Sequence, residues 1–480
     1  MTTRTLEDLI TDAGGPLNLL RAHSYDRVGV SPDVSPPLIV PQVPQEFSLW
    51  EREARAWRES VALMDQSHHM PGLFLEGPDA QKLLTSLACN DLSRSRPNSA
   101  HQLICVNEDG QLIGDDIVFH LEENLFSIYG VPFALDWVRF HAETGGYDVT
   151  ATYDGRSPVY SNGHPASRPN FRYQIQGPLA EALIEKLNGG PIGNVKFFHM
   201  TEITIAGVRC RALRHGVAGA IGLELWGPWE HRDLVRDTII EAGREFDLRL
   251  VGGMSYLITA MEAGWYQMVL PAIYTGASMA GYRKWLRSDS MEGVLRLAGS
   301  LQHGRVEDYY RTPYDLGYGK FVGANHEYIG KDALTELRES GQPALNKVTL
   351  RWNPEDTAGL LTEMLTPGGK DVRALHLPCM ADKLDLHFDR ISNGGTDIAG
   401  NSAYTAYTPN ERAVLSIALV DSSVEIGEEI VIHWGEAGGG YGDSIVPATD
   451  FVEIRAVVSP APYADVAREG YRKGLIGTAT

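Results

Sequence analysis

Cysteine is scarce: four residues in 480, Cys89, Cys105, Cys210 and Cys379, with no Cys-x-x-Cys pair. That scatter offers neither a disulfide framework nor a thiolate metal site, and it fits a reducing compartment. Cations are outnumbered, 42 Lys+Arg against 62 Asp+Glu, for a formal net charge of −20. An acidic field repels phosphate backbones and anionic headgroups, and no basic patch offsets it, so nucleic acid and membrane surfaces are not expected partners. No run reaches the ~18 apolar residues of a membrane span. Met1 to Gly15 carries acidic residues where a secretory leader would carry an apolar core. The expected location is cytoplasmic.

What is present is a globular composition, 43% hydrophobic and 22% charged, long enough for two to four domains at about 100 to 200 residues each. The chain opens with short helices at Leu6 to Ala13 and Pro16 to Ala22, then a stretch from Ser31 to Phe47 with prolines at 32, 36, 37, 41 and 44. Missing backbone donors and a fixed φ make that stretch an extended arm. Trp50, Ala54, Trp57 and Val61 recur at helical spacing and predict a helix from Ser48 to about Val61. Strand, turn and helix then alternate. Leu73 to Leu75 leads through Gly77-Pro78-Asp79, with Asp79 a candidate cap, into a helix Ala80 to Leu87. Leu103 to Val106, Ile117 to His120 and Phe126 to Tyr129 read as strands, and Ala134 to Thr144 as a helix closed by Gly145-Gly146. A second block starts at Tyr173 to Pro178, continues through a helix to strands Glu202 to Ile205 and Val208 to Arg214, and repeats the Gly-Pro-helix entry of the first. From 345 to 460 strand-like runs dominate, namely Val348 to Trp352, Val414 to Leu419, Glu429 to His433 and Phe451 to Val458. These predict a small antiparallel barrel or sandwich. The division follows as 1–47 helical segment and arm, 48–170 first α+β block, 171–342 second α+β block with a helical insertion, and 343–480 barrel-like domain.

Several clusters invite chemistry. His68-His69 suggests a metal, but adjacent strand residues face opposite ways and no acidic partners complete a ligand set, so an acid–base role for one of them is the surviving option. Gly435 to Gly442 follows a strand with no helix after it, which favours a hairpin loop over a phosphate cradle. Asp115-Asp116 is either a paired carboxylate or an ordinary strand entry. Glu224 lies between apolar neighbours in Gly219 to Trp226, where an unpaired carboxylate is costly. Its partner is an arginine of the fold or a ligand with two adjacent donors, such as the amino-pyrimidine edge of a pterin. Tyr256 and Trp265, flanking Glu262-Ala263-Gly264, are core aromatics by base rate.

Ordered segments carry more weight together. Met64 to Met70, Gly77 to Ala80, Leu87 to Asp91, Asn107 to Gly110 with Asp115, Gln176 to Pro178, Gly219 to Glu224, Met261 to Gly264, Tyr328 to Leu334 and Tyr407 to Asn410 resemble, in order, the motifs of the aminomethyltransferase fold family. These are folate-binding enzymes typified by the glycine-cleavage T-protein. The Asp65-Gln66-Ser67-His68-His69-Met70 form, Ala142 to Tyr147, Arg214-His215-Gly216, Pro271 to Gly276 and Ala456 to Pro460 look like its branch of tetrahydrofolate-dependent aromatic O-demethylases, the vanillate and 3-O-methylgallate type. The resemblance covers nearly the whole chain. It implies an α+β, three-domain aminomethyltransferase fold around a central channel, with a C-terminal antiparallel β-barrel-like domain. Tyr256 stands where the T-protein has an arginine, and Ala220 where it has a glutamate, so aminomethyl transfer is not expected. The Lys-Gly-Cys signature of the iron–sulfur-assembly relatives is missing, and no flavin-binding domain precedes the fold.

The implied reaction moves a methyl group from a methoxyarene to N5 of tetrahydrofolate, giving 5-methyltetrahydrofolate and a hydroxyarene, with no metal and no flavin. Tyr256 is the expected proton donor to the ether oxygen, with His69 and Gln66 orienting it or the ring. Asp115, Glu224, Gln176 and Trp265 are expected on the cofactor. Val131 and Leu38 are expected on the substrate, at positions where that branch has arginine and tyrosine, as Val40 also is. A substrate carboxylate, if present, is then held elsewhere, for example at Arg27 or Arg21. A demethylase of N-methyl or S-methyl compounds and a non-catalytic folate binder are the alternatives, and a homodimer is left open.

Overall fold

The computed structural model describes residues 4–21, 43–154, 168–266, 269–341, 344–379, 385–393, 399–438 and 448–470. Two sheets and a barrel organise them. A five-stranded antiparallel sheet has the order β3-β4-β5-β2-β6, with β2 at Gly72–Glu76, β3 at Ser99–Val106, β4 at Leu112–Glu122, β5 at Leu125–Tyr129 and β6 at Thr150–Asp154. A six-stranded sheet has the order β11-β1-β7-β10-β9-β8. Its strands are β1 at Val61–Asp65, β7 at Asn170–Gln176, β8 at Met200–Ile205, β9 at Val208–Leu213, β10 at Gly222–Pro228 and β11 at Leu248–Leu250. Thus β1, assigned by sequence order to the first block, is in the sheet of the second, antiparallel to β7 and parallel to β11. Linear order reads blocks; hydrogen-bond pairing decides sheets.

The weak repeat is structural. Gly77 and Gly177 sit at φ +147 and +132 at the exits of β2 and β7, and a Cβ at either would lie 2.3 Å from a backbone carbonyl oxygen. In both, the amide three residues on (Ala80, Ala180) donates to the glycine carbonyl at 3.1 Å and opens the helix, Ala80–Leu87 or Ala180–Asn188. Asp79 does not cap with its side chain; its carboxylate accepts instead from the amide of Asp148. The helix predicted over 48–61 spans Trp50–Glu59, since Val61 already belongs to β1.

β7 shows how one strand serves two faces. Phe171, Tyr173 and Ile175 pack with Leu183, Ile184, Val235 and Ile239 of the covering helices. The alternating Arg172, Gln174 and Gln176 point the other way and are buried too, so both faces are enclosed. The second face looks toward the five-stranded sheet. There Phe119, Trp226 and Leu213 share a small core, and the sheets are stitched by Ala100 N–H to Phe198 C=O at 2.8 Å and Met200 N–H to Asn98 C=O at 2.9 Å.

Beyond residue 252 come short helices, among them Gly253–Leu257, Thr259–Ala263 and Ala280–Trp285, and the parallel pair β12 (Arg296–Ala298) and β14 (Asp385–His387). The closed barrel has the order β13-β17-β16-β15-β18-β19. It is built from β13 (Asn346–Trp352), β15 (Asp389–Ser392), β16 (Gly400–Thr408), β17 (Ala413–Val420), β18 (Glu429–Trp434) and β19 (Val452–Ser459), all pairs antiparallel. Since β18 pairs with β19, the Gly435 to Gly442 run belongs to a hairpin connection, and its residues 439–442 lie outside the described set. The N-terminal helix Leu6–Asp12 docks through Leu6 N–H to Leu286 C=O and the Glu7–Arg283 ion pair. No helix of the described residues is long and apolar enough to cross a membrane.

Candidate active site

The site is assembled on the polar face of β7 and the segment after β11. Gln66 leaves β1 with its N–H bonded to the carbonyl of Arg172 at 2.9 Å, and its side-chain Nε2 donates to the Tyr256 hydroxyl at 2.9 Å. His69 lies edge-on to Tyr256, ring centroids 4.5 Å apart. Tyr256 itself is buried. Burial pushes its phenol well above the ordinary range, outweighing the Gln66 hydrogen bond that acts in the opposite direction, so it stays a protonated donor at neutral pH.

His68 and His69 lie in a turn following β1, not in a strand. They still diverge, His68 packing edge-on against Trp229 with centroids 5.2 Å apart and His69 against Tyr256. Among the described residues no group of His, Cys, Asp and Glu could hold a metal ion.

Glu224 on β10 lies opposite Gln174 of β7. Of the two partners open from sequence, the arginine is present: Oε1 accepts from the guanidinium of Arg172, while Oε2 lies 3.7 Å from His215 Nδ1. Burial alone would raise this carboxyl, but Arg172 and His215 hold it down at about 2. Arg172 is boxed by aromatic rings, 3.8 Å from the Tyr129 centroid, 5.1 Å from Phe119 and 5.4 Å from Trp226. Gly72 is what lets Tyr129 into that place, because a Cβ there would stand 2.7 Å from the ring. Gln176 Oε1 accepts from Ala218 N–H at 3.1 Å, and Gln174 Nε2 donates to the His215 carbonyl at 2.6 Å. Gln66 Oε1, Gln174 Oε1 and Gln176 Nε2 are buried with no hydrogen-bond partner. Buried amide atoms are seldom left so. Two acceptors and a donor near a paired carboxylate fit a planar ligand carrying both donors and acceptors on one edge, as a pterin does.

Asp115 has other neighbours. Its Oδ2 accepts from Gln102 Nε2 at 2.8 Å, Trp265 Nε1 at 3.3 Å and Tyr318 OH at 2.6 Å. Burial raises its pKa against these three donors. Trp265 follows Tyr256 by nine residues, so one chain segment joins the two clusters. The paired-carboxylate reading of Asp115-Asp116 does not hold: strand alternation sends Asp116 the other way, where Oδ1 accepts from Val131 N–H at 3.0 Å. Val131, half-buried, opens the helix Pro132–Thr144 and packs against the main core. Leu38, Val40 and Arg27 lie outside the described residues. Arg21 donates to the carbonyl of His303 and lines a small cleft with Leu297, Gly299 and Glu436.

Arg172, Gln174 and Tyr129 escaped the sequence reading. Polar residues alternating with aromatic ones look like the wet face of a half-buried strand; only the second sheet makes that face an interior. Glu53 was missed as well. Its Oε1 accepts from Phe47 N–H and Ser48 N–H, both at 2.7 Å, and its Oε2 from Gly252 N–H at 2.8 Å and Ser255 Oγ at 3.1 Å, fixing the turn that presents Tyr256.

Comparison with known proteins agrees with this architecture. Residues 21–269 match the family model described as the GCVT N-terminal domain. Over 470 residues the chain is 36% identical to a syringate O-demethylase of Sphingobium sp., covering 98% of each sequence. It is 26% identical over 448 residues to a sesamin methylene transferase of Sinomonas sp., covering 89% of this chain and 91% of that protein. Its fold is similar to the crystal structure of the glycine cleavage system aminomethyltransferase T of Bartonella henselae, with a TM-score of 0.58 at 16% identity, covering 90% and 92% of the two chains. With its sheets, C-terminal barrel and matched N-terminal region accounted for, this chain belongs to the GCVT N-terminal domain family and has the aminomethyltransferase fold.

Proposed function

We propose that the protein removes the methyl group of a methoxylated aromatic compound and hands it to tetrahydrofolate. The observation that carries this reading is the buried, protonated Tyr256 held by Gln66 and His69 beside the Glu224–Arg172 pair. The likeness to a syringate O-demethylase along 98% of both chains supports it.

An aryl methyl ether resists cleavage because its leaving group is a phenolate. A donor that protonates the ether oxygen as the oxygen–methyl bond breaks removes that obstacle. Tyr256 is suited to this: burial keeps its proton on, and a placed general acid contributes roughly 10²- to 10⁴-fold. His69, edge-on at 4.5 Å, limits the swing of the phenol ring. Glu224, Gln176 and Gln174 supply the carboxylate and amide atoms that hold a pterin, with Trp265, on the chain segment of Tyr256, hydrogen-bonded to Asp115 of β4. Bound there, tetrahydrofolate supplies a nucleophilic amine as the methyl acceptor. Tyr256 is itself buried, so that its proton is delivered to the ether and not to solvent.

The deciding experiment incubates the protein with tetrahydrofolate and a panel of methoxyarenes, sesamin, betaine and a methylsulfonium compound. Formation of 5-methyltetrahydrofolate with methoxyarenes alone is the expected result. Transfer only from the N-methyl or S-methyl donors, or folate binding with no transfer from any donor, would sink the proposal.

A further inference from the structure

We propose that Tyr318 is a positioning residue of this site, holding the Asp115 carboxylate so that its second oxygen faces the reduced folate. This rests on the folate-dependent reading above and adds to it a residue that acts through another.

Asp115 stands where three parts of the chain meet. Gln102 Nε2 of β3 donates to its Oδ2 at 2.8 Å, Trp265 Nε1 at 3.3 Å and the Tyr318 hydroxyl at 2.6 Å. The tyrosine makes the shortest of these bonds. All three converge on Oδ2, and among the described residues none donates to Oδ1. An ionised carboxylate only accepts, so pinning one oxygen fixes the group and leaves the other for an N–H of the ligand.

Tyr318 is itself braced. Its N–H binds the Pro313 carbonyl at 2.8 Å, and its own carbonyl accepts the Phe321 N–H at 2.8 Å. The same turn is tied to the barrel, because Asp315 accepts from Thr312 N–H at 2.7 Å and from Leu345 N–H at 2.8 Å, one residue before β13. Lys347 of β13 then lies over the Tyr318 ring, 5.7 Å from its centroid. A donor placed beforehand in this way loses little freedom on engaging the carboxylate. Through one hydroxyl the barrel reaches the site.

Electrostatics agrees with the geometry. Burial pushes the Asp115 carboxyl up, and Tyr318 leads the groups that oppose it, ahead of Trp265, Lys347 and Gln102. The other titratable groups facing it are Cys105 of β3 and Asp116 beside it, both pushed upward by burial as well. Without the Tyr318 hydroxyl the Asp115 carboxyl rises further, so it takes a proton, and ceases to be a charged acceptor, at a higher pH.

The test is anaerobic calorimetry of tetrahydrofolate binding to the full chain from about pH 4 to about pH 8, with a thermal melt of each variant. Wild-type affinity should fall on the acid side, and Asp115→Asn should flatten that fall. Tyr318→Phe keeps the ring and its contact with Lys347. Its acid limb should move upward by about one pH unit, as expected for a lost hydrogen bond to a charged group. Incorporating 3-fluorotyrosine in place of Tyr318 strengthens the donor without changing its shape and should move the limb the other way. That measurement decides the matter if Tyr318→Phe does not melt cooperatively. A limb left at its wild-type position by either replacement in folded protein, or one that survives Asp115→Asn, overturns the assignment. Failure to bind tetrahydrofolate at any pH overturns it together with the proposed function. If the limb moves as expected but no methoxyarene yields 5-methyltetrahydrofolate, the O-demethylation reading falls and the role of Tyr318 stands.

Discussion

Tyr256 shows how little of a residue's role lies in its type. The same buried phenol could be a core aromatic; its hydroxyl bond to Gln66, the His69 ring on its edge and the charged pair nearby make it a donor. Tyr256→Phe keeps the ring and its packing but removes the proton. Methyl transfer should fall by roughly 10²- to 10⁴-fold, while tetrahydrofolate affinity, measured by calorimetry, stays at the wild-type value. Turnover undiminished in the Phe variant would take Tyr256 out of the chemistry. Neighbouring Glu224 illustrates the opposite lesson. Its burial demanded a partner, and that demand was legible from Leu223, Leu225 and Trp226 around it, but whether the partner was protein or ligand was not.

At the scale of the element, β7 carries the site. Its apolar residues hold the helices Ala180–Asn188 and Arg232–Gly243 on one side, and its polar residues are enclosed on the other. The unpartnered Nε2 of Gln176 is the donor that a bound ligand would satisfy. Gln176→Met should weaken tetrahydrofolate binding by about 3- to 10-fold, one hydrogen bond's worth. Calorimetry checks this, with the melting temperature of the variant monitored because Ala218 N–H also loses its acceptor. Unchanged affinity would mean that Gln176 serves only the Ala218 loop.

The whole molecule is held together by buried ionic clasps between its parts. Glu262 joins three of them: Arg58 of the helix before β1, Thr408 at the end of β16, and Asn410 Nδ2 at 3.0 Å. Removing one partner of such a cluster strands the others, so Glu262→Ala should cost about 3–5 kcal/mol, read as a lowered urea midpoint. A second clasp ties the barrel to β12. Glu436 accepts from Gly299 N–H at 2.6 Å and pairs with Arg373 at 3.0 Å and His387 at 3.1 Å. Burial would raise the Glu436 carboxyl, but His387 and Arg373 bring it down to about 2 from 4.5. A depressed carboxyl binds protons less readily in the folded state, so its stabilisation is complete above about pH 4.5 and is lost as pH falls toward 2. Glu436→Gln should therefore lower the midpoint of urea unfolding at pH 7 and flatten its decline between pH 4.5 and 2. A decline as steep as that of wild type would show that Glu436 is not part of the acid response.

Local rules set much of this in advance. Spacing of apolar residues gave the helix before β1, most of the strands and the barrel, because those depend on periodicities within a few residues. The two Gly-Pro entries foretold the repeat, since positive φ beside a carbonyl leaves only glycine. The ordered motifs named the family. Pairing across the chain decided the rest: that β1 joins β7, that Asp115 and Asp116 part company, and that His68 and His69 sit in a turn. It also made Arg172 and Gln174 interior. A strand's pattern says which residues share a face, but what covers that face is fixed by another sheet some fifty residues away in sequence, from Phe119 to Arg172. For this protein the residue types of the site are local information, and their meeting is a property of the packed sheets.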